Sequence, residues 1–470
     1  MYIRRKHAGL AAVLMLLVAI PTAAQVGGYG GMGGFGGLIS GAGFGAASPD
    51  VPSVRPWLSV NGNVIRYYDG IGSPPRNSYG SSIGGGVSVS KAWARTSLVG
   101  SYTAGGFLVN PYKRYGTSSG ISQVVGLQVM RQVSQRLAVS VSGFGGSSNG
   151  GYGVGAGLGG IGNFAPVGIS PTVNPSQGQT NSSNIDLGFQ NFGDNGLVDN
   201  ELFDTRVNFV GVNAGGSYTP DQRNIFSFSG GASQVRRSLS YLVGLNSLGG
   251  GAGYTRVLTQ SLTMGASYRF GSFEYPGYYG GNQVHSAGLS VGYRINPKTS
   301  FSVHAGGYIY RVNNVGTIVL PPEMAAILGQ STVQQVNDTR FTGMSAGASL
   351  TRSLRVGAAG LTYNRGARPG NGLIFPTEQE TVALNYSVGK SRYSLGTAGY
   401  FSRGKSISNI AGTTQTKTLL GFFSLRVFGS LHFSSSVSHR WVDAGLFPSR
   451  RLLSANAGLA FSPGAFPMWF

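Results

Sequence analysis

Three groups of residues have side-chain types that could do chemistry. The first is an acidic cluster, Asp186, Asp194, Asp199, Glu201 and Asp204, inside a stretch rich in Gly, Ser and Asn. Hard cations take oxygen ligands, so the cluster is read in two ways: as a divalent-cation loop, or as solvated loop acids, its spacing being unlike that of an EF-hand. The second is Gly399 to Ser406, GYFSRGKS, which meets the formal pattern of a phosphate loop. Such a loop works between a buried strand and a helix, and Ile407 to Lys417 is Ser, Thr and Gly with no helical stripe, so no nucleotide site is expected. Gly155, Gly157 and Gly160 match a dinucleotide spacing but stand in a Gly-rich loop with no strand–helix–strand unit around them. The third is a set of arginines, Arg269, Arg294, Arg426 and Arg440, which share sequence parity with small polar residues.

Catalysis finds little support. The chain has no Cys, which removes thiolate zinc sites, Cys nucleophiles and disulfides. His285, His304, His432 and His439 have no carboxylate paired with them on the same stretch, so neither an enzyme nor a cofactor is expected. The basic residues are scattered singly, which speaks against nucleic acid as a partner.

The elements that must position these residues alternate with period two. Phe301, Val303, Ala305, Gly307 and Ile309 oppose Ser302, His304, Gly306, Tyr308 and Tyr310; the same rule runs through Ala287 to Ile295 and through Leu419 to Val437. The exposed face of a soluble sandwich would carry Lys and Glu. Here it carries Ser, Gly, Asn and an occasional Arg, so the apolar face needs a solvent of its own, and lipid fits. Counting such runs from residues 55–68 to 451–461 gives about 18 strands, with 16 to 20 admissible. Connections alternate between tight turns, as at Ser134 to Arg136 or Gly429-Ser430, and long loops, as at 154–203 and 313–338. Pro321 to Gly329 in the second long loop has the marks of a short helix, and the loop is read as folding either into the barrel mouth or over it. Because unpaired backbone groups cannot face hydrocarbon, the sheet must close, giving an all-β transmembrane antiparallel up-and-down barrel.

Composition agrees. Of 470 residues, 79 are Gly and only 10% are charged, too few for an ordinary soluble surface. Residues 1–24 place Arg4, Arg5 and Lys6 before an apolar run from Ala8 to Ile20 and end in Thr22-Ala23-Ala24, the layout of a cleaved signal peptide. Residues 25–54 are then a flexible Gly-rich periplasmic leader, and residues 55–470 the barrel.

The signal peptide, the alternating strands, the short turns against long loops and the terminal Trp469-Phe470 together resemble Gram-negative outer-membrane β-barrels of the porin-like type. The resemblance is architectural and covers residues 55–470. It implies location in the outer membrane, contact with outer-membrane lipids, and assembly by the barrel-assembly machinery. That machinery reads a terminal aromatic, and since Pro463 and Pro467 interrupt a strand ending at Phe470, Phe461 is the better candidate. The functional expectation is a channel, monomeric or a homo-trimer, for passive diffusion of small polar or anionic solutes, with Arg269, Arg294, Arg426 and Arg440 lining the pore. A rival expectation is a barrel for polysaccharide export or surface attachment without a general pore. On either expectation the arginines have a plainer alternative, which is to sit near the rims and bond carbonyls or lipid phosphates.

Overall fold

The computed structural model describes residues 53–69, 76–109, 119–149, 206–238, 244–276, 280–319, 323, 332–368, 377–389, 392–406, 413–443, 449–461, 463 and 466–467. They form one antiparallel sheet that closes on itself. Its strands are β1 (Ser53–Asp69), β2 (Arg76–Ala92), β3 (Thr96–Val109), β4 (Ser119–Gln132), β5 (Leu137–Asn149), β6 (Arg206–Tyr218), β7 (Asn224–Arg237), β8 (Leu245–Val257) and β9 (Leu262–Glu274). They continue with β10 (Gly280–Asn296), β11 (Thr299–Val319), β12 (Thr332–Leu354), β13 (Gly357–Arg368), β14 (Thr377–Gly389), β15 (Tyr393–Ser406), β16 (Thr413–Phe428), β17 (Leu431–Asp443) and β18 (Arg450–Phe461). Each strand pairs with its sequence neighbours, and β1 pairs with both β2 and β18, so the 18-strand wall has no free edge. A two-residue β19 (Phe466–Pro467) continues the seam beside Ser53 and Val54.

The seam shows what Pro463 does. Leu58 pairs with Phe461, but Val54 pairs with Phe466, so the register of the seam differs by one residue on the two sides of Pro463. The complete strand therefore ends at Phe461. β1 begins at Ser53, two residues inside the stretch read as leader; residues 1–52 lie outside the described residues.

Following hydrogen-bonded partners once around the wall returns to β1 displaced by about 22 residues. With 18 strands, a rise of about 3.3 Å per residue and a strand spacing of about 4.8 Å, that stagger sets a tilt of about 40° and a backbone radius of about 18 Å. A barrel of this strand number leaves a lumen that side chains of ordinary size do not fill.

Tight connections all fall at one end, with the first and last strand ends: Trp93 to Arg95, Thr219 to Arg223, Pro297-Lys298 and Gly429-Ser430 are examples. Gly429, at φ 47°, turns the two-residue β16–β17 connection, and register shifts at Arg294/Asn296 and Arg426/Phe428 tighten two of these hairpins. Longer connections gather at the other end, which in barrels of this kind is extracellular. The main difference from the sequence reading lies there. β11 and β12 run on to Val319 and Thr332, pairing Val315 with Val336 where the alternation predicts a loop at 313–338, so this hairpin stands well above its neighbours. β-branched residues at Val315, Thr317, Ile318, Val333 and Val336 favour that extended pairing. Of the expected helix at Pro321 to Gly329, only Glu323 is described, and it is helical.

The turn at Asp221 is a local capping device. Its carboxylate accepts from the Asn224 side chain and from the backbone N–H groups of Arg223 and Asn224, all at 2.7 Å. These bonds, the Asn224 amide first, hold the carboxyl below the usual carboxylate range. A carboxyl with a depressed folded pKa stabilises above its unfolded pKa and loses that contribution as pH falls through the folded value. Amide exchange at Arg223 and Asn224 is therefore expected to be slower in the native protein than in Asp221→Ala at neutral pH. The difference should vanish as the solution is taken well below about pH 4.

Candidate functional site

Register divides every strand into an outer and an inner row. Leu289, Met344, Ile121 and Leu248 belong to the outer row and are all more than half exposed, Leu289 at 68%. Near the turn end this row becomes aromatic: Tyr218, Phe226 and Tyr254 adjoin with ring centroids 6.5 and 5.0 Å apart, and Tyr254 Oη donates to Asn224 Oδ1 at 2.6 Å. Lys91 lies 5.1 Å from the Trp93 ring at the same end. Toward the loop end the outer row turns polar, with Tyr268 bonded to His285 at 2.7 Å and the Arg365 guanidinium 2.9 Å from Glu378 and 3.5 Å from Glu380. An apolar band between two polar or aromatic borders, on a closed wall with no unpaired edge, is the surface a bilayer requires. This is a transmembrane barrel of the outer-membrane type.

The inner row of this barrel is built from small polar residues. Ser233 and Ser247, Ser302 and Ser349, and Ser438 and Ser454 face one another across strand pairs at 2.6 Å, while Ser300 meets Thr351 at 2.7 Å. Gln379 Nε2 donates to Ser402 at 2.8 Å. Such cross-strand bonds satisfy hydroxyls on the wall and hold the lining flat.

The four arginines take inner positions at three heights. Arg269 is in the middle of β9, in register with Gly251 and Ser286, whose small side chains leave the guanidinium room over the wall. Arg440 is in the loop-side part of β17, between Thr418 and Leu452. Arg294 and Arg426 stand at the turn end, each beside a bulge, and Arg426 Nε donates to the Gly429 carbonyl at 2.6 Å. The structure thus puts the four on one surface without bringing them together, and for Arg426 it shows a rim carbonyl as partner.

Carboxylates are distributed differently. Glu274, Glu378, Glu380 and Asp443 occupy the outer row near the loop end; Asp69 is the last residue of β1, in register with Arg450. Asp186, Asp194, Asp199, Glu201 and Asp204 lie outside the described residues, as do Gly155, Gly157 and Gly160. Among the described residues no three His, Cys, Asp or Glu side chains gather as a metal site would. The phosphate-loop match at Gly399 to Ser406 is plain strand, the loop-side half of β15, so the geometry that motif needs is missing.

Two features of the inner row are not visible in the alternation. Toward the loop end it becomes apolar: Val207, Val235, Leu245, Phe273 and Tyr275 bury one another on consecutive strands, with Phe209 and Val284 against them. Asn282 donates to Tyr275 Oη at 2.9 Å within this inner collar, and Ile65 and Tyr310 are wholly buried in the same row of their strands. Arg237 also takes an inner position, in register with Val207. Its strand could have yielded it by parity from Ser227 and Ser229, but Ile225 and Val235 on the same face obscure the polar row.

No family model matches the sequence, and no curated protein does. Among solved structures the barrel is similar to Acinetobacter baumannii OccAB4, at 9% identity with a TM-score of 0.41 over 89% of this chain and 100% of that one. It is similar to Pseudomonas aeruginosa OccK7 (OpdD) at 12% identity and 0.43, over 89% and 100%. A third is the ferric-catecholate import receptor Fiu of E. coli K12, at 8% identity and 0.42, over 85% and 81%.

Proposed function

We propose that this barrel is a passive channel for small polar solutes with a preference for anions. The observation that carries the reading is the sign of the lining: among the described strand positions the outer row carries both basic residues and carboxylates, whereas the inner row carries arginines, at 237, 269, 294, 426 and 440 among others, and no carboxylate except Asp69 at the end of β1. A lining whose strand charges, Asp69 at its rim apart, are all cations attracts anions and repels cations. Serine and glycine supply the rest of the lining, and they offer hydrogen bonds without bulk. The chain acts as a conduit, with no chemical step assigned to any side chain.

The reading is tested with the purified protein in planar bilayers. A steady open conductance is expected, with a reversal potential in asymmetric potassium chloride whose sign reports chloride as the more permeant ion. A silent barrel, or one preferring potassium, would reject it.

A further inference from the structure

We propose that the outer face carries, at its loop-side edge, a docking site for a lipid headgroup bearing two phosphates, laid across Trp441 with one phosphate at Arg451 and the other at Lys417. Cross-strand register places Tyr68, Arg451, Trp441, Lys417 and Phe401 in one continuous row over β1, β18, β17, β16 and β15. All five belong to the outer row, so aromatic and cationic side chains alternate along it. Arg66 adds a third cation from β1, its guanidinium 5.4 Å from the Tyr68 ring, and His439 packs 3.7 Å from the Trp441 ring, fixing the indole from below. The three cations are exposed and the aromatic rings half-buried.

The charge around this row selects its occupant. On β13 to β15 the outer cations have acids in register: Arg365 is bonded to Glu378 and Glu380, and Arg403 and Lys405 pair in register with Glu380 and Glu378. Arg451 and Lys417 each face Trp441 instead; Asp69, next to Tyr68, belongs to the inner row with Arg450, and the nearest carboxylate of the outer row is Asp443, two residues beyond Trp441 at the end of β17. Three cations against one acid leave an excess positive charge at the depth where headgroups meet acyl chains. Basic residues there attract phosphate, and aromatic rings settle at headgroup level. Arg451 and Lys417 are two strand spacings apart, about 10 Å, too far for one phosphate but suited to two borne on a rigid headgroup that lies over the indole between them. The site does not depend on whether the lumen conducts.

The test uses the native protein in detergent and reads acylation of the Lys417 amine by an amine-reactive ester through peptide mass spectrometry. Diphosphoryl lipid A is the probe, with dephosphorylated lipid A, phosphatidylglycerol at equal phosphate and inorganic phosphate as comparators. Roughly 25-fold protection by the first and little by the others is expected, since each of the two cations that meet a phosphate contributes about fivefold. No protection, or equal protection by phosphatidylglycerol or inorganic phosphate, would overturn the proposal. In the Arg66→Gln, Arg451→Gln variant the protection should be lost, whereas Arg236→Gln with Arg340→Gln, at the same edge on β7 and β12, should keep it. Equal loss in both variants would likewise overturn it.

Discussion

Replacing Leu289 by Arg is expected to lower the ratio of folded, membrane-inserted to unfolded protein about 30- to 800-fold at a urea concentration that half-unfolds the native barrel. The same replacement one residue along, Ser290→Arg, should change it less than about threefold. Leu289 is mid-wall on β10, 68% exposed on the outer row, flanked in register by Ala266 and Ala305. A guanidinium there meets acyl chains, and the cost at the midplane of a barrel is about 2–4 kcal/mol. Ser290 belongs to the inner row between Gly265 and His304, where an added guanidinium faces the lumen and finds water. Refolding into vesicles, read by the shift in gel mobility between heated and unheated samples, measures both. Equal damage at the two positions, or equal tolerance, would contradict the assignment of the faces.

The second large effect is on ion selectivity. Arg269→Gln with Arg440→Gln should reduce the chloride-to-potassium permeability ratio about two- to fivefold toward unity, the size expected when contacts of about 1 kcal/mol between a lumen charge and a hydrated ion are removed. These two stand on β9 and β17, nearly opposite each other around the wall, one mid-height and one nearer the loops. Arg294→Gln with Arg426→Gln should do less. Both are at the turn end, and Arg426 is exposed and already engaged with the Gly429 carbonyl, in a position that solvent and salt screen well. An unchanged ratio in the first pair would reject the selectivity role.

Much of the barrel could be read from residues alone, because a wall between lipid and water imposes a period of two that nothing else in the chain disturbs. Phe301 and Val303 against Ser302 and His304 give the faces of β11 directly, and the structure closes 18 strands with boundaries close to those of the alternating runs. The alternation falls short where both faces are apolar. Val235 and Leu245 are buried in the inner collar, and a pattern that equates apolar with lipid cannot distinguish them from Leu248, which is exposed on the outer row. It falls short again at the β11–β12 extension, where long-range pairing of Asn313 with Asp338 and Val315 with Val336 extends strands through residues of mixed character. The inner parity of Arg269 and Arg440 was legible; the carbonyl partner of Arg426 was not, since it depends on the bulge beside Phe428 and on the turn geometry of Gly429. The row of Arg451, Trp441 and Lys417 also depends on register, because its members come from three strands whose stagger no local pattern reveals.

The absence of Cys from the chain makes the decisive measurement clean. Single cysteines placed in turn at positions 286 to 291 of β10, in protein reconstituted into vesicles, report each side chain's surroundings through a membrane-impermeant thiol reagent. Cysteines at 286, 288 and 290 should react from the aqueous lumen, and those at 287, 289 and 291 should be protected and lie within quenching distance of lipids labelled along the acyl chain. Uniform reactivity along the strand, or protection of the even positions in place of the odd, would contradict a wall with lipid on one side and water on the other.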